Sequence, residues 1–309
     1  MTSLAEITTW VAERLGPTST PVLLSTSNSR VWRVHDANGG GFAVKHLLDG
    51  SSQPGAERAV RRYLAERGSR RALPVLALSR NPDGTHLVLA EYVEGPLLAE
   101  AFGGPGPVAE WAGQLADLLD DVAGIAVTGF GRLSDDLRAP WPTWSSFLLD
   151  YLEEQRRKAP ALARARHAAL HTVLTAAAPL LDAAAPVPRL VAADVNNRNF
   201  VIGADGLVCV NLPVLWGGDP AAAHGQSLLH WAGTGGEAVL ARRSGAPRWR
   251  LHLYAAFHAY VVLAYAERFS PEPLHAVAPW GRTTPLLDLL DRHLAAVDPP
   301  RSSAKDVSP

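Results

Sequence analysis

The chain has 309 residues, 47% hydrophobic and 19% charged, enough for one large domain or two coupled lobes and too apolar for a disordered chain. Twenty-nine basic against thirty acidic residues leave a net charge of -1, no global footprint for nucleic acid or an anionic membrane. The lone cysteine, Cys209, has no internal disulfide partner, and the N-terminus lacks the basic and apolar regions of a signal peptide, so the expectation is a cytoplasmic protein.

Residues 3 to 15 have the spacing of an amphipathic helix opened by a capping box of Ser3 and Glu6. From Val22 to about Val93 the short β-branched runs VLL, RVWRVH, GFAVKHLL, PVLALS and HLVLAEYV predict five strands. A helix from Gly55 to Arg67, closed by Gly68, interrupts them after the third. Beyond Gly95-Pro96, helical spacing recurs over 108–122, 144–158, 164–184, 224–233, 250–269 and 284–297. The apolar run from Leu251 contains His252 and His258 and reads as a buried helix, not a membrane span. One hairpin interrupts the helices: NFVIG, a turn at Ala204-Asp205-Gly206, then LVCVNL. The fold class expected is α+β and bilobal, with an N-terminal lobe over 1–94 and a helical lobe over 95–297. A polar tail over 298–309 is expected to be disordered.

The densest chemistry lies at that hairpin. Asp194 is followed five positions later by Asn199, the spacing of a kinase catalytic loop. There the Asp orients and deprotonates an attacking hydroxyl, and the Asn amide oxygen holds a divalent ion. The next strand should end in a metal-holding Asp; here it ends in Asn211. Upstream, Lys45 in GFAVKHL matches the phosphate-binding lysine pattern. Of 29 basic residues 26 are Arg, so a Lys in this strand stands out. Glu57 is placed on the following helix to pair with it.

With these residues in order, the chain resembles the aminoglycoside phosphotransferase family of small-molecule kinases over nearly its whole length. Ser25 to Val34 is similar to the family's first hairpin, Glu91 to Gly95 to its hinge, and Leu190 to Asn199 with Val208 to Leu212 and Gly218-Asp219-Pro220 to its signature. Asn211 and Asp219 are eight apart, matching the family's spacing. The resemblance implies a protein-kinase-like fold binding ATP or GTP with Mg²⁺. Asp194 would be catalytic, Asn199 and Asn211 metal-holding, Lys45 and Glu57 phosphate-directed. Ser27 and Asn28 would cover the phosphates, and Glu91 and Val93 would hold the base. Two departures stand out. Ala192 replaces the loop histidine, and Asn211 replaces the metal-holding carboxylate, removing a full negative charge.

The implied activity is phosphoryl transfer to a hydroxyl of a small molecule. One alternative is a peptide Ser/Thr kinase of a peptide natural-product pathway; another is a pseudokinase that binds a nucleotide or protein partner without chemistry. From Ala221 onward seven acidic residues face nine basic ones, a balance that weighs against a polycationic aminoglycoside. His167 and His171 have metal-ligand spacing but no acidic companion, and Arg242 to Arg250 reads as a solvated basic loop. Trp216 is a candidate wall of the substrate cleft, and Asp219 a loop-tying residue.

Overall fold

The first helix, α1 (Leu4–Leu15), starts where the capping box sets it: Ser3 Oγ accepts the Glu6 N–H at 3.2 Å, and Glu6 Oε2 accepts the Ser3 N–H at 2.6 Å. This is a computed structural model, and it describes residues 3–26, 29–48, 53–102, 106–159, 161–264 and 284–299. Ser27 and Asn28, and the tail from residue 300, lie outside the described residues.

Five strands follow: β1 (Val22–Thr26), β2 (Ser29–His35), β3 (Gly41–Leu47), β4 (Val75–Arg80) and β5 (His86–Glu91). All neighbours are antiparallel, in the order β1-β2-β3-β5-β4. Alternation puts Trp32, Val34 and Val44 on the buried face, where they pack with Leu87 and Leu89 against Ile7 and Val11 of α1. Lys45 is next to Val44 and so points to the other face, opposite Val31 and Val88.

Between β3 and β4 runs α2 (Pro54–Glu66), with Gly68 just beyond it at φ +79°. Its apolar residues Ala56, Val60 and Leu64 join the core of the second lobe, not that of the sheet. The connection out of β5 is stitched to the second lobe at Gly95, which has φ +144°. A Cβ there would lie 2.0 Å from the Ile202 carbonyl oxygen, so only glycine fits.

The helical lobe contains α3 (Leu98–Ala101), α4 (Val108–Ala123), β6 (Gly131–Arg132), α5 (Trp144–Arg156) and α6 (Ala161–Ala184), then β7 (Arg189–Ala192). After a 3-10 turn at Asn197–Asn199 come the hairpin β8 (Phe200–Gly203) and β9 (Gly206–Cys209), then β10 (Leu215–Gly218). Four helices close the described chain: α7 (Ala221–His230), α8 (Gly235–Arg243), α9 (Arg248–Ala264) and α10 (Leu286–Ala295).

Three features depart from the sequence expectation. Strands β6, β10 and β7 form a second, three-stranded sheet that no alternation announces, because its strands are two to four residues long and buried. Helix α8 lies where no helical spacing is read, and its last turn takes in Arg242 and Arg243 of the expected solvated loop; its apolar face is thin, with only Gly236 and Leu240 buried. Trp216 does not wall a cleft: it is 1% exposed on β10 and packs among Trp144, Phe147, Tyr151 and Phe257.

Candidate active site

Asp194 lies in the turn between β7 and the 3-10 helix, with Val195 and Ala193 buried on either side and its own side chain half-buried. Burial raises its carboxyl pKa; hydrogen bonds from Asn196 and Asn199 and the charge of Lys45 oppose that rise. The Asn196 Nδ2 donates to Asp194 Oδ1 at 2.6 Å. Ala192 leaves the loop without a histidine brace, and α7 supplies another: Gln226 Oε1 accepts the Val195 N–H at 3.2 Å. Asn197 Nδ2 reaches the His230 carbonyl at 3.5 Å. Gln226 gave no sequence signal, because it lies 31 residues from the backbone it holds.

Lys45, Asn211, Asn199 and Asp194 are joined in one line across the lobes. Lys45 Nζ donates to Asn211 Oδ1, Asn211 Nδ2 donates to Asn199 Oδ1 at 2.8 Å, and Asn199 Nδ2 donates to the Asp194 carbonyl at 2.8 Å. Burial lowers the Lys45 pKa, with the charge of Glu57 the leading effect in the other direction.

Glu57 takes a different partner from the one expected. Its Oε1 accepts from Arg61 Nη1 at 3.0 Å and from the Leu212 N–H at 2.9 Å, both buried, while Lys45 turns to Asn211. The carboxylate therefore fixes the segment after β9 instead of clamping the lysine. Gln53 does the same from the start of α2, accepting the Leu215 N–H at 2.7 Å and donating to the Leu133 carbonyl. Arg61, 3% exposed, also donates to the Leu73 carbonyl and to the Val210 carbonyl at 3.4 Å.

Glu91 ends β5 exposed, opposite Phe42, and the next N–H, of Tyr92, donates to the Gly41 carbonyl at 3.0 Å. Val93 is half-buried and lies against Gly203 at the tip of the β8–β9 hairpin. Asp219 ties its own loop: it accepts the Ala221 N–H at 3.0 Å and the Tyr254 hydroxyl at 2.7 Å, with Arg250 3.4 Å away. The Arg242–Arg250 patch is not a free basic loop. Arg243 pairs with Asp117 and Asp120 at 2.7 and 3.2 Å, and Arg250 belongs to Asp219. His167 pairs with Glu153 at 2.8 Å, and no three His, Cys, Asp or Glu gather as a metal site among the described residues. Cys209 is buried, its thiol pKa pushed up to about 12 by burial, and is inert.

Magnesium is a hard cation that favours carboxylate oxygen. The donor set here does not match it. Both amide oxygens already accept side-chain hydrogen bonds, and the one on Asn211 accepts from an ammonium group. The line ends on the Asp194 backbone carbonyl, and the Asp194 carboxylate engages Asn196.

An antiparallel sheet contributing a lysine and a helical lobe contributing an Asp–Asn loop, joined by that line of hydrogen bonds, define a kinase-like fold. The sequence pattern of the phosphotransferase enzyme family matches residues 19–210, and the chain belongs to that family. Among solved structures, that of aminoglycoside phosphotransferase APH(4)-Ia is similar at TM-score 0.73 and 16% identity, covering 96% of this chain and 100% of the other. A thermostable mutant of that protein in ternary complex with ADP and hygromycin B matches at 0.70 and 17%, covering 94% and 98%. The GDP complex of an aminoglycoside 2'-phosphotransferase-IIIa mutant matches at 0.61 and 13%, covering 96% of both chains. No curated protein sequence matches the chain. Among the described residues no helix is long and apolar enough to cross a membrane.

Proposed function

We propose that this chain transfers a phosphoryl group from a purine nucleotide to a hydroxyl of a small molecule, with Asp194 as the group that receives the hydroxyl proton. One observation carries this: Asp194, its side chain half-buried, and the half-buried Lys45 ammonium, 149 positions apart in sequence, are joined through Asn211 and Asn199 by one continuous line of hydrogen bonds that ends on the Asp194 backbone carbonyl. A carboxylate raised in pKa by burial is a better proton acceptor than one in water. Lys45, a point charge on the face of β3 turned from the sheet's own core, neutralises phosphate oxygens as they approach. In the step itself the acceptor oxygen bonds to the γ-phosphorus and the bond from that phosphorus to the bridging oxygen breaks. The proton passes to Asp194, and the nucleoside diphosphate leaves.

Members of the fold bind ADP or GDP, which supports a purine nucleotide in the cleft without choosing the base. The acceptor is read from charge: with nine basic against seven acidic residues from Ala221 onward, a neutral or anionic metabolite suits this lobe better than a polycation. The test is turnover of ATP and GTP against a panel of hydroxyl-bearing small molecules, comparing wild type with Asp194→Asn. The variant should lose about 10²–10⁴ in rate with nucleotide affinity retained. An undiminished rate would remove Asp194 from the mechanism.

A second role, nucleotide binding without turnover, is favoured by the engagement of both amide oxygens on the Lys45 line. It predicts nucleotide binding with no phosphorylated product from any acceptor in that panel.

A further inference from the structure

We infer that the cleft takes its nucleotide without a divalent ion held by the protein, because Asn211 replaces that ion's place with a hydrogen-bond relay. The inference rests on nucleotide binding as proposed above and concerns how that binding depends on metal.

The direction of the relay is forced by its ends. An ammonium group only donates and a backbone carbonyl only accepts, so the two amides between Lys45 and the Asp194 carbonyl have a single consistent orientation. In that orientation each amide uses its NH₂ toward Asp194 and its oxygen toward Lys45. A carboxylate at 211 would break the line, since it has no hydrogen to give Asn199. The asparagine is therefore the residue that makes the line continuous.

The relay is also built into the backbone. Residue 211 is fixed on both sides: the Val210 N–H donates to the Asn199 carbonyl at 2.9 Å, and the Leu212 N–H donates to buried Glu57 at 2.9 Å. Asn199 is 5% exposed, so its amide has little room to turn toward solvent. A metal would have to displace Lys45 from Asn211 and Asn211 from Asn199, and would gain only neutral oxygens.

Charge leads the same way. A carboxylate at 211 would repel the anionic phosphates, and a divalent ion would be needed to bridge the two. With an amide there that repulsion is absent, and the Lys45 ammonium meets the phosphates directly. Metal-free nucleotide, the more anionic form, becomes a full ligand.

The experiment is calorimetric titration of ATP into the full chain, once in EDTA and once in excess Mg²⁺, for wild type and Asn211→Asp. Wild-type affinity should agree within about fivefold between the two conditions, the range of a weak screened charge contact. In Asn211→Asp, binding in EDTA should fall by about tenfold or more, the effect of a like charge at close range, and Mg²⁺ should restore it. A larger metal effect on wild type would overturn the inference while leaving the nucleotide site intact. Equal binding by Asn211→Asp in both conditions would overturn the charge argument and the inference with it. No binding by wild type in either condition would overturn the nucleotide site first, and the inference through it. The wild-type comparison stands even if the variant fails to fold.

Discussion

Burial decides how single side chains behave here, and His258 shows it outside the cleft. Its ring is 2% exposed and stacks on Trp216, centroids 5.4 Å apart and planes 11° apart. Burial pushes its pKa down to about 3, so it stays neutral in the folded chain. In the unfolded chain it takes up a proton near its ordinary value of about 6.5. The unfolded state therefore binds more protons between those two values, and stability falls as pH drops through that window, by about 1.4 kcal/mol per pH unit. His258→Phe should flatten this: between pH 7 and pH 5, urea denaturation should show a loss smaller by about 2 kcal/mol than in wild type. Equal losses would mean that the ring is protonated in the folded state. At this scale the sequence singled out Asp194 and Asn199 by their spacing and Lys45 by its rarity, and the structure brings the three into one hydrogen-bonded line. It was silent on Asn211 as a link and on the partner of Glu57, because those depend on which atoms meet across 166 and 155 positions.

Among the elements, α2 does most to hold the site. It fixes the segment after β9 through Gln53, Glu57 and Arg61, and turns its apolar face to the helical lobe. The Arg61–Glu57 pair is 3% and 5% exposed, so deleting one partner leaves a buried charge behind. Arg61→Ala should cost about 3–5 kcal/mol, read as a lower urea midpoint at unchanged slope. A loss below about 1 kcal/mol, the range of an exposed pair, would show that the pair is solvated. The capping box of α1, the five strands and α2 were legible because each has its own period or cap. The sheet of β6, β10 and β7 was not, since a two-residue strand has no period to read. Helix α8 escaped for a related reason: its sequence GGEAVLARR opens on two glycines and offers little apolar face.

Across the whole molecule, the two lobes are joined by more than the connection after β5. Helix α2 is in the small lobe by sequence and in the large lobe's core by packing. The Cys209 N–H meets the Arg71 carbonyl at 2.6 Å. Lys45 then closes the cleft side of the interface onto Asn211. The bilobal plan was visible in the sequence as a change of texture at Gly95-Pro96, but the interlocking was not, since it depends on which backbone groups and side chains far apart in sequence meet. The central claim is that a nucleotide binds in this cleft with its phosphates on Lys45. Its most direct test is calorimetric titration of ATP and GTP into wild type and Lys45→Met. The account predicts saturable one-to-one binding to wild type and a loss of about tenfold or more in the variant, the effect of removing one close opposite charge. Equal affinity in the two proteins would contradict it.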